Sequence, residues 1–590
     1  MLVALGIFLL AVTAEITGSP PWRWECEKGQ CVKKPLLETD FDSAISLNTC
    51  QMFCGDAGLL WPKPTGSISL GDSIVKIDLN QVKLAESFED EKLKELFNKS
   101  LERFKQQLAA KIHSKEKISE GGQKLIITPK ISDGAFHPLT LSTDESYKLY
   151  INQAADKSIN VTVISNSYHG ARNGLETLSQ LIIFDDIRQE LQAVRDVTIE
   201  DAPVYKYRGI LLDTARNYYS VESIKRTIDA MASSKLNTFH WHITDSHSFP
   251  FETPSLPQLH ERGAYKPHLI YSTKDIEEIL EYALFRGVRV MPEFDAPAHV
   301  GEGFQGLDIT ACFNAQPWNK FCVEPPCGQL DPTQEQLYDV LQKIYTDMFT
   351  VFKPDIFHMG GDEVSNSCWN SSTRIQNWMI DQGWGLNDAD FLKLWGLFQE
   401  KALAKVEQIS GKELPIILWT SHLTQLPHVT QYLDKNKYII QVWTTGGDKQ
   451  IHDLLTNGYK LIISNYDALY FDCGFGAWIG AGNNWCSPYI GWQKVYSNSP
   501  KKIAGSYSEQ ILGGEAALWS EQADEHSLDA RFWPRAAALS ERLWAEPTNS
   551  WEDAETRLMV HRERLVEQGI AAESIKPQWC LQNGGDCPGP

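Results

Sequence analysis

The chain is short of positive charge. Against 76 Asp and Glu it has 55 Lys and Arg, a formal net charge of −21. No basic face could neutralise a phosphate backbone against that repulsion, so nucleic acid is excluded as a partner. Long apolar runs are also missing: Leu2–Val12 is too short to span a bilayer, and no later stretch is long and apolar enough for a membrane-spanning helix. There is no Gly-x-Ser-x-Gly, the turn that presents a nucleophilic serine, and no Gly-rich phosphate turn. What is present is a globular composition, 42% apolar and 22% charged, with 19 Trp, a surplus that core packing alone seldom demands. Flat rings are also the usual platforms for the apolar faces of sugars.

Leu2 to Val12, followed by the small-residue site Val12-Thr13-Ala14, reads as a signal peptide over 1–14, although no Lys or Arg precedes it. Twelve Cys, an even number, fit an oxidising compartment. The sequons at Asn98, Asn160 and Asn370 agree. The expectation is a secreted glycoprotein, extracellular or, as the alternative, lysosomal, with no membrane attachment. At 590 residues and roughly 150 per domain, about three to four domains are expected, fewer if one is a large barrel.

Residues 15–66 form a Cys-rich segment. Cys26, Cys31, Cys50 and Cys54 suit two local bridges in any of about three connectivities, and a zinc site is the alternative. Residues 67–203 read as an α/β domain: strand at Ser69–Leu79, helix at Asp90–Ile112, strands at Lys124–Pro129, Glu145–Ile151 and Val161–Ser165, then helix at Gly170–Leu181. It carries no acidic or nucleophilic constellation, so its expected role is support.

From 204 to 590 strands alternate with helices. Apolar runs fall at Tyr207–Asp213, Thr238–Asp245, Val288–Asp295, Asp355–Glu363, Pro415–Thr420, Tyr438–Trp443, Lys460–Asp467 and Ile511–Glu521. Amphipathic segments such as Val221–Lys235 and Gln334–Phe352 lie between them. Eight such units predict a (β/α)8 TIM barrel, with the active site at the C-terminal strand ends and a C-terminal tail. Those ends carry Arg216, Asp245, Asp295 with His299, Asp362 and Glu363, Trp419, Trp443, Tyr470 and Asp472, then Trp519 and Glu521. One polar strand end is ordinary; polar or aromatic groups at all eight are hard to attribute to packing.

The centre of this pattern is Asp355-Ile-Phe-His-Met-Gly-Gly-Asp-Glu-Val364. A lone Asp-Glu pair is most often a solvated loop. Here it closes a buried strand, and adjacent carboxylates cannot both ionise freely, so one keeps a proton near neutrality. An acid and a base are what cleavage of a glycosidic bond requires. His240-x-His242 raises a metal hydrolase as the alternative, but strands five and six offer Trp419 and Trp443 in place of further ligands, which favours a hydrogen-bonded His network; neither metal nor cofactor is expected. Cys322 with Cys327, Cys473 with Cys486, and Cys580 with Cys587 suit short loops, leaving Cys312 and Cys368 to pair across the site.

His358-Met-Gly-Gly-Asp-Glu363, Arg208-Gly-Ile-Leu-Leu-Asp-Thr-Ala-Arg216, Phe239-His-Trp-His-Ile-Thr-Asp245 and Trp533-Pro-Arg-Ala-Ala-Ala-Leu-Ser-Glu-Arg-Leu-Trp544 resemble motifs of the β-N-acetylhexosaminidases of glycoside hydrolase family 20. Gly174-Leu-Glu-Thr-Leu-Ser-Gln180 is similar to that family's N-terminal α/β (zincin-like) domain. The resemblance implies an exo-acting, retaining, substrate-assisted mechanism in which the sugar's 2-acetamido oxygen attacks C1. It makes Glu363 the general acid and then base, Asp362 the group that orients the acetamide, and Tyr470 a donor to its oxygen. Trp419, Trp443 and Trp519 would wall the acetamido pocket, Arg216, Asp472 and Glu521 would hold hydroxyls, and Asp245 with His299 would back the acid.

Within the family, Trp485 and the Val323-Glu324 loop resemble the insect enzymes that degrade chitooligosaccharides, where a second sugar sits outside the main pocket. A homodimer is expected on the same ground. The alternatives are a broad-specificity lysosomal-type hexosaminidase and a non-catalytic sugar-binding protein.

Overall fold

The computed structural model describes residues 21–55, 58–85, 88–112, 121–584 and 587; the expected signal peptide lies outside them. The N-terminal segment is an antiparallel hairpin (Trp22–Glu27 with Gln30–Pro35) and a helix, Leu47–Phe53. Cys26 and Cys31 face each other across the hairpin, yet each bonds elsewhere, Cys31 to Cys50 within the helix and Cys26 to Cys54 at its C-terminal end. That settles the open connectivity and commits all four sulfurs, so the zinc alternative fails.

The second unit is an eight-stranded mixed sheet with helices Glu91–Ala110 and Tyr168–Gln180 against it. Three of its strands lie where the apolar pattern predicts them: Gln123–Ile131, Tyr147–Gln153 and Ile159–Ser165. The expected strand Ser69–Leu79 is two, Ile68–Leu70 and the start of Ile74–Leu84. Ile182–Asp185, Glu190–Val194 and Val197–Asp201 complete the sheet and were not foreseen. Every residue of helix Tyr168–Gln180 is buried, because the sheet covers one side and the barrel the other. On the barrel side Arg172 donates to the Ala232 carbonyl (2.6 Å) and pairs with Glu176 (3.1 Å). Arg208, on the first barrel strand, grips Glu145 of the sheet domain through both terminal nitrogens at 2.7 and 2.9 Å. Bidentate pairs of this kind fix orientation as well as distance, and this one seats the barrel on its support.

The barrel closes as expected. Its strands are β1 (Tyr207–Asp213), β2 (Thr238–His242), β3 (Arg289–Glu293), β4 (Phe357–His358), β5 (Ile416–Trp419), β6 (Tyr438–Val442), β7 (Lys460–Ile463) and β8 (Ile511–Leu518), all parallel, with β8 paired to β1. Most are shorter than their apolar runs because the ladder stops where the chain turns into the site. The change is largest at β4, reduced to two residues by Gly360 and Gly361, at φ 60° and 86°. Side chains alternate along each strand, which layers the interior. Tyr207, Met291, Ile356, Ile417, Ile439 and Ile462 form an apolar lower layer. Above it His240, Glu293, His358, Trp419, Gln441 and Glu515 form a second layer, wholly buried and mostly polar.

Candidate active site

At the C-terminal mouth of the barrel is a cavity of about 470 Å³. Among the residues lining it are Asp362, Glu363, Tyr470, Arg216, His299, Val323, Glu324, Trp443, Asp472, Trp485, Trp519 and Glu521. Two expected site residues do not line it. Asp245 lies behind, as a backing group should. Trp419, expected as a wall, is instead fully buried below: its Nε1 donates to Glu293 Oε1 at 2.7 Å and its ring packs on His358 and His240. The last inward position of β5 sits beside an anion that needs a donor, and the indole supplies it.

Local backbone geometry aims the acid pair. A side chain at Gly360 would place its Cβ 1.8 Å from Asp295 Oδ1, so only glycine fits, and the Gly361 N–H then donates to that oxygen at 2.8 Å. Two residues on, Glu363 takes φ 53°, uncommon for a residue with a side chain. Such conformations cost of order 1–3 kcal/mol and persist where the surroundings enforce them. The result turns the Glu363 side chain back over the mouth, 28% exposed, with Asp362 beneath it at 12%.

A relay stands behind Glu363. His299 Nε2 lies 3.2 Å from Glu363 Oε2, and His299 Nδ1 lies 3.1 Å from Asp245 Oδ2. Asp245 also receives Arg216 at 3.0 Å and His242 Nε2 at 3.0 Å. Burial would raise its carboxyl, but Arg216 and His299 outweigh it and hold Asp245 well below the usual carboxylate range. Burial likewise would lower His299, yet the Asp245 carboxylate pushes it well above the usual imidazole range. His299 therefore stands beside Glu363 as a cation.

Asp362 is different. Burial raises it to about 6, with the Glu363 charge adding to the rise and His299 opposing it. Asp295, buried beside it, is pushed well above its ordinary value by burial and then by Asp362. The acid pair in the sequence thus hides a second one in space, Asp295 with Asp362, in which Asp295 holds the proton and leaves Asp362 anionic at neutral pH. At the far wall burial raises Asp472 to about 7 and Glu521 well above its usual value. Arg216 is held by Glu324 at 2.7 Å and lies over the Trp519 ring.

Sequence reasoning left most of the floor without a role. Glu293 sits between His242 Nδ1 (2.6 Å), His358 Nδ1 (3.0 Å), His240 Nε2 (3.1 Å) and the Trp419 indole. Glu515 takes His240 Nδ1 at 2.8 Å, Gln441 Nε2 at 2.6 Å and the Tyr207 hydroxyl. Gly209 makes room for it, since a Cβ there would meet Glu515 Oε2 at 2.6 Å. The signal was available: Glu515 is a lone acid inside an apolar run, tolerable only where a barrel interior supplies partners. His240, Glu293 and His358 offer three ligand atoms within 4.8 Å. All three residues are fully buried beneath the cavity and engaged in this network, so the cluster has no open position for a metal-bound substrate. The His-x-His network expected from β2 is present.

Two stapled loops form the rim. Cys322–Cys327 closes the turn bearing Val323 and Glu324, and Cys473–Cys486 closes the loop bearing Trp478 and Trp485. Inside the latter Asn484 accepts from the Gly474 N–H (3.0 Å) and donates to the Asp472 carbonyl (2.8 Å). Trp485 is 65% exposed, near Tyr466, Trp443 and Tyr470. Cys312–Cys368 forms as expected but does not cross the cavity; it ties the loop after β3 to the helix after β4. Cys580–Cys587 closes the tail.

Comparison with known proteins agrees with this geometry. Residues 205–547 match the model of the glycosyl hydrolase family 20 catalytic domain, and 60–181 match a domain described as beta-acetyl hexosaminidase like. The chain belongs to glycosyl hydrolase family 20. It is 56% identical to the chitooligosaccharidolytic beta-N-acetylglucosaminidase of Bombyx mori, over 96% of this chain and 95% of that one. Its identity to the Ostrinia furnacalis enzyme of the same name is also 56%, over 98% and 97%. With the human beta-hexosaminidase subunit beta it shares 34% over 75% of this chain and 74% of that one. Among solved structures, a family 20 exo beta-N-acetylglucosaminidase from Vibrio harveyi in complex with N-acetylglucosamine aligns with a TM-score of 0.68 at 25% identity, covering 88% of this chain and 79% of the other.

Proposed function

We propose that the chain is an exo-acting, retaining β-N-acetylhexosaminidase that releases terminal β-GlcNAc from chitooligosaccharides by substrate-assisted catalysis. The observation that carries this is the division of labour between adjacent acids: Glu363 reaches the mouth beside cationic His299, while Asp362 lies deeper beside Asp295 and Tyr470. Glu363 protonates the leaving oxygen as the acetamido oxygen closes on C1. Asp362 orients the acetamide and stabilises the charge on its nitrogen, and Tyr470 donates to its oxygen. Trp443 and Trp519 enclose the N-acetyl group, and Arg216, Asp472 and Glu521 bind hydroxyls. Every Cys of the chain is bridged, so no thiol competes as nucleophile. Val323, Glu324 and Trp485 on the stapled rim suit a second sugar, and the names of the two insect relatives support that substrate.

Glu363→Gln keeps the shape but loses the proton, so turnover of chitobiose is expected to fall roughly 10²- to 10⁴-fold with binding retained. A thiazoline mimic of the cyclised intermediate is expected to inhibit the wild type strongly. Weak inhibition, or a trapped glycosyl-enzyme, would refute substrate assistance. Rates on chitobiose, chitotetraose and a β-GalNAc glycan compared side by side separate this reading from a broad lysosomal-type hexosaminidase. A non-catalytic sugar-binding protein would have no reason to keep the Glu363–His299–Asp245 relay. Six bridges support an oxidising destination, which we take to be extracellular.

A further inference from the structure

No residue of the Trp533–Trp544 motif lines the sugar pocket. Several of them join the barrel to its surroundings. Glu541 takes the Tyr496 hydroxyl at 2.8 Å and Arg557 at 2.6 Å, and Trp544 donates to Asp201 at 2.8 Å. Arg535 does something else. It is 1% exposed, and its terminal nitrogens donate to main-chain carbonyls: Nη1 to Ile490 at 3.1 Å, Nη2 to Phe471 at 2.8 Å and to Arg531 at 2.6 Å. Its guanidinium also lies over the rings of Phe471 (4.4 Å) and Tyr489 (4.6 Å). Burial lowers Arg535 to about 10, which leaves it a cation at neutral pH.

Phe471 and Ile490 are the two flanks of one rim loop, the first ahead of Cys473 and the second beyond Cys486. The bridge closes the loop at its neck, and Arg535 ties the same two flanks below it. Burying a cation is costly unless its hydrogen bonds are well made, and charged donors make the stronger ones. Here they fix backbone next to the sugar. The Phe471 N–H donates to the Ala517 carbonyl of β8 at 2.8 Å while the Phe471 carbonyl takes Arg535, so the residue before Asp472 is held on both sides. Asp472 itself lies on the cavity wall. Just past the bridge, Gly474 sits so close to the other flank that a Cβ would fall 2.1 Å from Tyr489 Cα. The Arg535 charge also reaches Asp472, where with Arg531 it opposes the rise that burial causes.

We propose that Arg535 is a positioning residue for substrate binding: by clamping both flanks of the Cys473–Cys486 loop it sets Asp472 against the pocket sugar and Trp485 against the next one. This rests on the reading that Asp472 binds a sugar hydroxyl. Arg535 touches neither sugar and acts through the backbone. Asp362 and Glu363 stand on the turn after β4, to which Arg535 makes no hydrogen bond, so binding should suffer more than chemistry.

The test compares KM and kcat on p-nitrophenyl N-acetylglucosaminide and on chitotriose for the full-length wild type, Arg535→Gln, Arg535→Lys and Asp472→Asn. KM does not depend on how much of the enzyme is folded. A merely structural role would therefore lower Tm and apparent kcat and leave KM alone. Arg535→Gln is expected to raise KM for the aryl glycoside about 10-fold, the scale of one charged hydrogen bond. For chitotriose the rise should be about threefold larger, because Trp485 is displaced as well. Arg535→Lys keeps the charge and reaches one carbonyl, so its KM should rise only about threefold; kcat corrected for the folded fraction should stay within about threefold in both variants. Wild-type KM on both substrates in folded Arg535→Gln overturns the proposal, as does a fall in corrected kcat with KM unchanged. Should Arg535→Gln not fold, Arg535→Lys decides alone, a raised KM supporting the clamp and a wild-type KM overturning it. Wild-type KM in Asp472→Asn would sink instead the hydroxyl-binding reading beneath it.

Discussion

The floor and the rim of this pocket are built on opposite principles. The floor is rigid, dry and charged: Glu293 and Glu515 are fully buried and tied to three histidines, a tryptophan, a glutamine and a tyrosine carried by β1, β2, β4, β5 and β6. The rim is aromatic and solvent-exposed, with Val323 and Trp485 more than half exposed on loops anchored by their bridges, by Asn484 and by the Glu324–Arg216 pair. Charge is placed on the barrel strands, and exposed apolar surface on the loops around the mouth. Chemistry depends on the first arrangement and choice of substrate on the second, so mutations in the two regions should fail differently.

The sharpest way to break the contrast is Glu293→Gln. Removing one partner of a buried ionic network typically costs about 3–5 kcal/mol. The burial of His242 favours its neutral form and Glu293 is the strongest group opposing that, so its charge should be lost with the carboxylate. A large drop in Tm with kcat falling in step is expected for both short and long substrates. A variant with wild-type Tm would show that the floor is dispensable to the fold.

Asp362→Asn should separate stability from activity. Its raised pKa means the folded protein holds this proton more tightly than the unfolded chain does. The stability belonging to the protonated form is complete below the ordinary value of 3.8 and is lost as pH rises through about 6. An amide cannot ionise, so the variant should be more stable at pH 7.5, by up to about 3 kcal/mol from a shift of about two units, with the gain gone by pH 3.5. Its kcat should fall by an amount worth about 2.7–4 kcal/mol, because the missing charge matters most in the transition state. In the wild type the acid limb of kcat/KM should sit near pH 6, where Asp362 takes up its proton. Equal Tm at both pH values, or an acid limb far from 6, would show that Asp362 is not held as described.

The smallest effect is expected at the rim. Trp485→Ala should slow cleavage of chitooligosaccharides by about 5- to 150-fold in kcat/KM, the loss of one covered ring at about 1–3 kcal/mol. An aryl N-acetylglucosaminide, which places no sugar there, should lose much less, and Tm should barely move because the ring is mostly exposed. Equal losses on both substrates together with a lower Tm would make Trp485 a packing residue of the Cys473–Cys486 loop.

Much of this was legible in the chain. Eight apolar runs separated by amphipathic segments predicted the closed barrel, and residues at their ends predicted the mouth, because strand periodicity and the parallel βαβ unit are local properties. Asp362 and Glu363 stood out by adjacency, and Cys322–Cys327 and Cys473–Cys486 by short spacing. Two things were not local. Trp419 looked like a wall and is part of the floor, since only the closed barrel brings Glu293 of β3 under the inward face of β5. The Asp295–Asp362 pair joins residues 67 positions apart through a backbone approach that glycine alone permits. Composition and periodicity determined the fold class, the acid pair and the disulfide-bonded character of the chain. Which carboxyl holds its proton and which rings line the cavity were decided by tertiary structure, because burial and the field of distant charges act through space and leave no mark on neighbouring residues in the sequence.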